Sequence, residues 1–227
     1  MDLNDFQNFA QLDTENMLSH IDALPDQLTA AYKLGLSLAL PGMTPVERII
    51  VAGMGGSAIG ADLIAAYLAD QLPVPFLVHR NYDLPAYAAG QHTLVVVSSH
   101  SGNTEEALSA FTTARDRGCQ LLAICTGGSL EEECRNAGIP VWKFDHTGQP
   151  RAAVGFSFGL LLALLTRLQL IDDQAHEIEG AHDVMTDLQT RIRADVPVLQ
   201  NAAKRQAGQF VGRHVTIFAS GFLVPVA

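Results

Sequence analysis

Three hydroxyls stand close together in Ser99-His100-Ser101-Gly102-Asn103-Thr104-Glu105-Glu106, at Ser99, Ser101 and Thr104. The apolar run Leu94-Val95-Val96-Val97 just before them reads as a buried strand. Asn103 or Thr104 can cap a following helix, and Glu105 and Glu106 suit the positive end of its dipole. The segment therefore offers hydroxyls and unpaired backbone N–H groups to an anion at a helix N-terminus. It reads as a phosphate cradle without a lysine.

A second turn of this kind lies upstream. The strand Arg48-Ile49-Ile50-Val51-Ala52 runs into Gly53-Met54-Gly55-Gly56-Ser57-Ala58-Ile59-Gly60. Its glycines let the backbone come close to a ligand, and Ser57 adds a hydroxyl. Alone, such a turn is more often a tight turn or a nucleotide site than a sugar-phosphate site. Two serine-bearing turns in one sheet favour the sugar phosphate. A P-loop is excluded, because no Gly-Lys-Ser/Thr follows the glycines.

Other chemistry-bearing residues have plainer readings. Glu105 and Glu106 are candidate bases, but helix-start acids are common for dipole reasons. His100 sits in the ligand loop and is a candidate to touch ligand, whereas His79, His92 and His146 read as surface or loop residues. Glu131-Glu132-Glu133 reads as a solvated helix start. Cys119, Cys125 and Cys134 are odd in number and wrongly spaced for zinc or a disulfide framework, which suits thiols in a reducing cytoplasm.

Stepping through the elements that must carry these loops, residues 5–22 and 26–40 read as leading helices, broken by Pro25 and ended by Pro41-Gly42. Strands are expected at 48–53, 74–79, 93–98, 120–125 and 140–144, and helices at 57–70, 104–117 and 129–137. Such alternation implies a doubly wound parallel sheet covered on both faces, an α/β fold. Ligands bind such sheets beyond the carboxyl ends of the strands at the switch point, where both serine loops lie. The apolar run from Ala152 to Leu165 reads as a core helix, too short to span a bilayer. The stripe Ile171, Ala175, Ile178, Ala181, Met185, Leu188, Ile192 is amphipathic helix packing, with a shorter helix to about Val211 after Pro197.

Val215-Thr216-Ile217-Phe218-Ala219-Ser220-Gly221 repeats the strand-then-small-residue pattern of Ile49 to Gly55. It predicts a strand opening a second, truncated α/β domain, with its apolar tail buried by packing or dimerisation. The expected division is N-terminal helices at 1–44, the sheet domain at 45–152, a helical segment at 153–213 and the second domain's start at 214–227.

The 227 residues are 48% hydrophobic and 17% charged, enough for a sizeable core in a soluble protein. A net charge of −10, from 24 acidic and 14 basic residues, argues against nucleic acid or an anionic membrane as partner. Any phosphate must be held by local donors. The N-terminus is acidic and has no apolar signal core.

Gly53-Met54-Gly55-Gly56-Ser57, Ser99 to Glu106 and Gln149-Pro150-Arg151-Ala152-Ala153, in this order, resemble the sugar isomerase (SIS) family. More narrowly, with Tyr82-Asp83-Leu84-Pro85, they resemble the N-terminal portion of bifunctional phosphoglucose/phosphomannose isomerases. The resemblance implies two SIS domains in the full protein, a cytoplasmic homodimer, and neither metal nor other cofactor. It implies that Gly56, Ser57, Ser99, Ser101 and Thr104 hold the phosphate of a hexose 6-phosphate, and that Arg151 stabilises an enediolate. Members of the family usually carry an aromatic where His100 stands. The resemblance implies that the family's glutamate base, ring-opening histidine and a further lysine lie beyond the last residue of this sequence, so none is assigned here.

Moving a proton between C1 and C2 of a hexose 6-phosphate needs a ring-opening group, a carboxylate base and a cation for the enediolate oxygen. The chain is expected to supply the phosphate grip and the cation and to lack the base. One alternative is a non-catalytic sugar-phosphate-binding module. Another is a dinucleotide enzyme, since Gly53, Gly55 and Ala58 fit the G-x-G-x-x-A spacing. That reading wants an acid closing the second strand, where Val78-His79-Arg80 stands, and leaves the second serine loop unexplained.

Overall fold

The computed structural model describes residues 2–227. A 3₁₀ turn, Phe6–Asn8, precedes three N-terminal helices: α1 (Phe9–Leu12), α2 (Met17–Asp22) and α3 (Leu24–Ser37). Then come β1 (Arg48–Gly53), α4 (Gly56–Tyr67), β2 (Phe76–His79), β3 (Thr93–Ser99), α5 (Glu105–Asp116), β4 (Gln120–Cys125), α6 (Gly128–Ala137) and β5 (Val141–Lys143). A 3₁₀ turn at Pro150–Ala152 leads into α7 (Val154–Arg167), α8 (Ala175–Ile192), α9 (Ala202–Phe210) and a last 3₁₀ turn, Gly221–Val226.

All strand pairs are parallel, in the order β2-β1-β3-β4-β5. This is the doubly wound α/β sheet that the alternation of elements predicts. Side chains alternate across it. Ile49, Val51, Leu94, Val96, Leu122, Ile124 and Trp142 pack on one face with α3, α4 and α7. Ile50, Ala52, Val95, Val97, Leu121 and Ala123 pack on the other with α5 and α6. Because β3 is buried on both faces, all seven of its residues are buried and its centre, Leu94 to Val97, is an unbroken apolar run.

The expected N-terminal helix 5–22 is broken at residues 13–16. Asp13 accepts the backbone N–H groups of Met17 and Leu18, each at 2.7 Å, and Asn16 turns left-handed at φ 55°. Pro25 opens α3 rather than separating two helices, because its missing N–H lies in the first turn where no helix bond is lost. The apolar run after Arg151 is a core helix as expected, although its regular part begins only at Val154. No helix among the described residues is long and apolar enough to cross a membrane.

The strand expected within Val215 to Gly221 is not formed. Residues 214–220 are irregular, and Ile217 and Phe218 are exposed. A strand is stable only where a neighbour takes its backbone hydrogen bonds, and this stretch pairs with none of the five strands of the sheet.

Candidate functional site

The last register pair between β1 and β3 joins Gly53 to Ser98, so both serine loops leave the sheet side by side. From β1 the chain turns to β2 on one side, and from β3 to β4 on the other, so both loops stand at the sheet's topological switch point. The loops are tied directly. Ser57 Oγ accepts the backbone N–H of His100 at 2.9 Å, leaving its own proton to donate.

Within the second loop, Ser99 Oγ and Thr104 Oγ1 lie 2.9 Å apart, and Gly102 N–H donates to Ser99 Oγ at 3.1 Å. Ser101 is exposed, and its Oγ accepts from Asn103 N–H at 3.2 Å. Thr104 stands at the N-cap of α5, but neither it nor Asn103 caps the helix with a side chain. The Thr104 hydroxyl is directed to Ser99 instead. The first-turn N–H groups of α5 are thus left open to an external anion. No side chain caps α4 either.

A third turn, Thr126-Gly127-Gly128-Ser129, follows β4 and escaped the sequence reading. Its signal is the same as that of residues 53–57, an apolar strand running into glycines and a serine. It braces the cradle. Thr126 Oγ1 donates to the His100 carbonyl at 2.7 Å. Asn103 Oδ1 accepts Ser129 N–H at 3.0 Å, and the Gly102 carbonyl accepts Leu130 N–H at 2.9 Å. The N-terminus of α6 is therefore spent on the serine loop, and at α4 the Ser57 and Ala58 N–H groups donate to the Met54 and Gly55 carbonyls, whereas the first turn of α5 remains open. Gly102 has φ 69°, and a Cβ there would lie 1.8 Å from the Gly127 carbonyl oxygen.

Arg151 reaches this edge from the turn before α7. A Cβ on Gly56 would lie 2.6 Å from the Pro150 carbonyl oxygen and 2.9 Å from the Arg151 nitrogen. A glycine at 56 is what lets the arginine segment sit on the first loop. The Arg151 side chain is exposed and makes no hydrogen bond or ion pair among the described residues. The structure thus brings Gly56, Ser57, Ser99, Ser101, Thr104 and Arg151 to one edge.

His100 points inward, beneath the arginine segment. Its Nε2 lies 2.9 Å from His146 Nδ1, and its ring meets Phe144 edge-on. Burial pushes both imidazoles below their ordinary range; for His146, His100 and then His20 add to the effect. Glu105 accepts the Tyr82 hydroxyl at 2.9 Å, and this hydrogen bond, with the carboxylate's charge behind it, raises the Tyr82 pKa. Glu131 is held below the usual carboxylate range by Lys143, 2.9 Å away. Arg80, the residue a dinucleotide 2′-phosphate would require, is paired with Asp62.

A family model describes residues 42–139 as a SIS domain. This chain is a SIS-domain protein. It is 40% identical over 190 residues to a bifunctional phosphoglucose/phosphomannose isomerase of Caldicellulosiruptor bescii, an alignment covering 83% of this chain and 56% of that protein. It is also 28% identical over 197 residues to a D-glucosamine-6-phosphate 4-epimerase of Sulfolobus acidocaldarius, covering 86% of this chain and 59% of the relative. The chain thus spans little more than half the length of these relatives. Among solved structures, the tagatose-6-phosphate ketose/aldose isomerase of Escherichia coli superposes with a TM-score of 0.52 at 20% identity, over 92% of this chain and 56% of that one. That likeness is one of fold. The SIS domain matched here contains all three strand-to-helix turns, and Arg151 lies just beyond it.

Proposed function

We propose that this SIS domain binds a hexose 6-phosphate and serves the interconversion of glucose 6-phosphate or mannose 6-phosphate with fructose 6-phosphate through an enediolate. The observation that carries the reading is an exposed Arg151, without a side-chain partner among the described residues, seated on Gly56 beside the open N-terminus of α5 and the hydroxyls of both serine loops. In a chain of net charge −10, such local donors are what an anionic ligand requires. The relatives' phosphosugar names agree with it.

In this mechanism Ser57, Ser101, the Gly56 N–H and the N–H groups opening α5 grip the phosphate, with the bare Gly56 letting the Arg151 segment close on the first loop. Ser99 and Thr104 keep the loop in shape through their mutual bond and turn their hydroxyls to the phosphate as it binds. Arg151 then faces the sugar's carbonyl end and stabilises negative charge on the enediolate oxygen, where a fixed cation acts most strongly. The base that moves the C1–C2 proton is not assigned to a residue of this cradle: Glu105 is held by Tyr82 and Glu131 by Lys143. Assembly as a homodimer belongs to the same proposal.

Calorimetry with fructose 6-phosphate, paired with a coupled assay from glucose 6-phosphate and mannose 6-phosphate, tests the reading. Binding that weakens in Arg151→Ala is expected. Turnover abolished by that substitution would place a base within these residues. Binding without turnover would fit the non-catalytic sugar-phosphate module. Failure to bind any hexose phosphate would overturn both.

A further inference from the structure

The imidazoles of His100 and His146 have no part in that mechanism, yet they join its two halves. His100 belongs to the serine loop, and His146 to the segment that leads to Arg151. Their rings meet at right angles with centroids 5.1 Å apart. Phe144 and Phe156 flank them, and His20 of α2 stands 5.0 Å from His146 on the far side. The His20 ring fills the space a side chain at Gly148 would take.

A hydrogen bond between two neutral imidazoles needs one N–H and one bare nitrogen. The remaining nitrogen of His146, Nε2, is buried and has no partner. An orphaned buried N–H costs more than a bare acceptor. The proton therefore belongs on His146 Nδ1, donated to His100 Nε2, and the His100 proton on its Nδ1. An added proton has no good position. On His146 Nε2 it makes a buried, unpartnered N–H. On His100 Nε2 it sets donor against donor. The charged groups acting on His146 are His100 and His20, both cationic when protonated, and only burial acts on His100.

We propose that His100 and His146 form a neutral latch that positions the Arg151 segment on the serine cradle, and that protonation of the latch releases the segment and weakens binding of a phosphorylated ligand. The ligand clause rests on the hexose 6-phosphate reading; the latch does not. Both are positioning residues, acting through Arg151. The latch is closed at neutral pH and opens as pH falls below the ordinary imidazole value of 6.5.

Side-chain ¹⁵N NMR tests the latch without ligand, and two neutral rings, each locked as the Nδ1–H tautomer, are expected. The Ala152 and Ala153 amides, bonded to Gln149 and Pro150 carbonyls at 2.8 and 3.1 Å, report on the segment. Between about pH 7.5 and about pH 5.5, their exchange, corrected for intrinsic rate, should accelerate roughly tenfold more in wild type than in His146→Asn. Asparagine keeps a donor near Nδ1 but cannot take a proton. His100→Phe fills the ring's volume without the bond and should leave the segment loose already at neutral pH. Fructose 6-phosphate affinity should fall on acidification more in wild type than in His146→Asn, which cancels titration of the ligand's own phosphate. Rings that average tautomers and titrate independently, or equal acid acceleration in wild type and His146→Asn, would overturn the latch. If those readouts hold and no hexose phosphate binds at any pH, the latch stands and the ligand reading falls.

Discussion

The molecule has two concave regions of opposite character. Between α3, α4, α7, α8 and the last turn lies an apolar groove of about 940 Å³, lined by Leu28, Leu63, Phe158, Ile178, Met185 and Phe222. Beneath the serine cradle there is only a void of about 10 Å³, against Ser57, His100, Phe144 and Pro150. Volume alone would choose the groove. A binding site also needs convergent polar groups. The groove's polar lining is Tyr67, Asp70 and Glu177, and the Tyr67 hydroxyl is bonded to Gln174. The cradle, by contrast, is a surface of donors held rigidly from below. Helices that meet imperfectly leave space, whereas strand ends that meet closely leave chemistry.

The sharpest way to break this contrast is to wedge the cradle open. Gly102→Ala forces a Cβ onto the Gly127 carbonyl in a backbone region that suits glycine. We expect a loss of about 3 kcal/mol or more in urea unfolding, with hexose phosphate binding abolished. A midpoint unchanged from wild type would mean that the two loops do not pack as closely as described.

A smaller effect separates binding from folding. Ser101 is exposed and bonded only to the Asn103 N–H, so Ser101→Ala should leave stability nearly unchanged. Its hydroxyl lost from a phosphate should weaken fructose 6-phosphate binding by about 1.5–3 kcal/mol in calorimetry. Val184→Ser, in the groove, should leave that binding untouched. If the groove variant loses the ligand and the cradle variant keeps it, the two regions have been assigned the wrong way round.

Acid should cost the cradle more than the groove. His100 and His146 have pKa values lowered in the folded chain, so the unfolded state takes up protons first as pH falls below 6.5. Stability is then expected to decline until pH passes the folded values and to level off below them. Thermal unfolding across that range should show the decline in wild type and a flatter profile in His146→Asn.

Strands and two of the three turns were legible because their signals are local. β-Branched runs mark β1 and β3, and glycine and serine follow each at the strand end. The turn at 126–129 carries the same signal after β4; its part in bracing Asn103 and Gly102 is a long-range fact. So is the pairing of His100 with His146, which are 46 positions apart in sequence. The break at 13–16 depends on Asp13 choosing backbone donors ahead of it, which helical periodicity does not report. The strand predicted within Val215 to Gly221 failed for a related reason. Its pattern is local, but a strand exists only with a neighbour.

That tail supplies the smallest expected effect and a test of the groove's edge. Phe218 is 89% exposed, so Phe218→Ser removes almost no buried apolar area within the chain. The unfolding free energy should move by less than about 0.5 kcal/mol, the usual range for a surface change. Phe222 and Leu223 line the groove but remain largely exposed, so the tail rests on its rim without filling it. A loss of about 2 kcal/mol or more on Phe218→Ser would instead show the tail packed against apolar surface, since that is the scale of burying a large side chain. The groove would then be a covered interface, and the contrast with the open cradle would be sharper still.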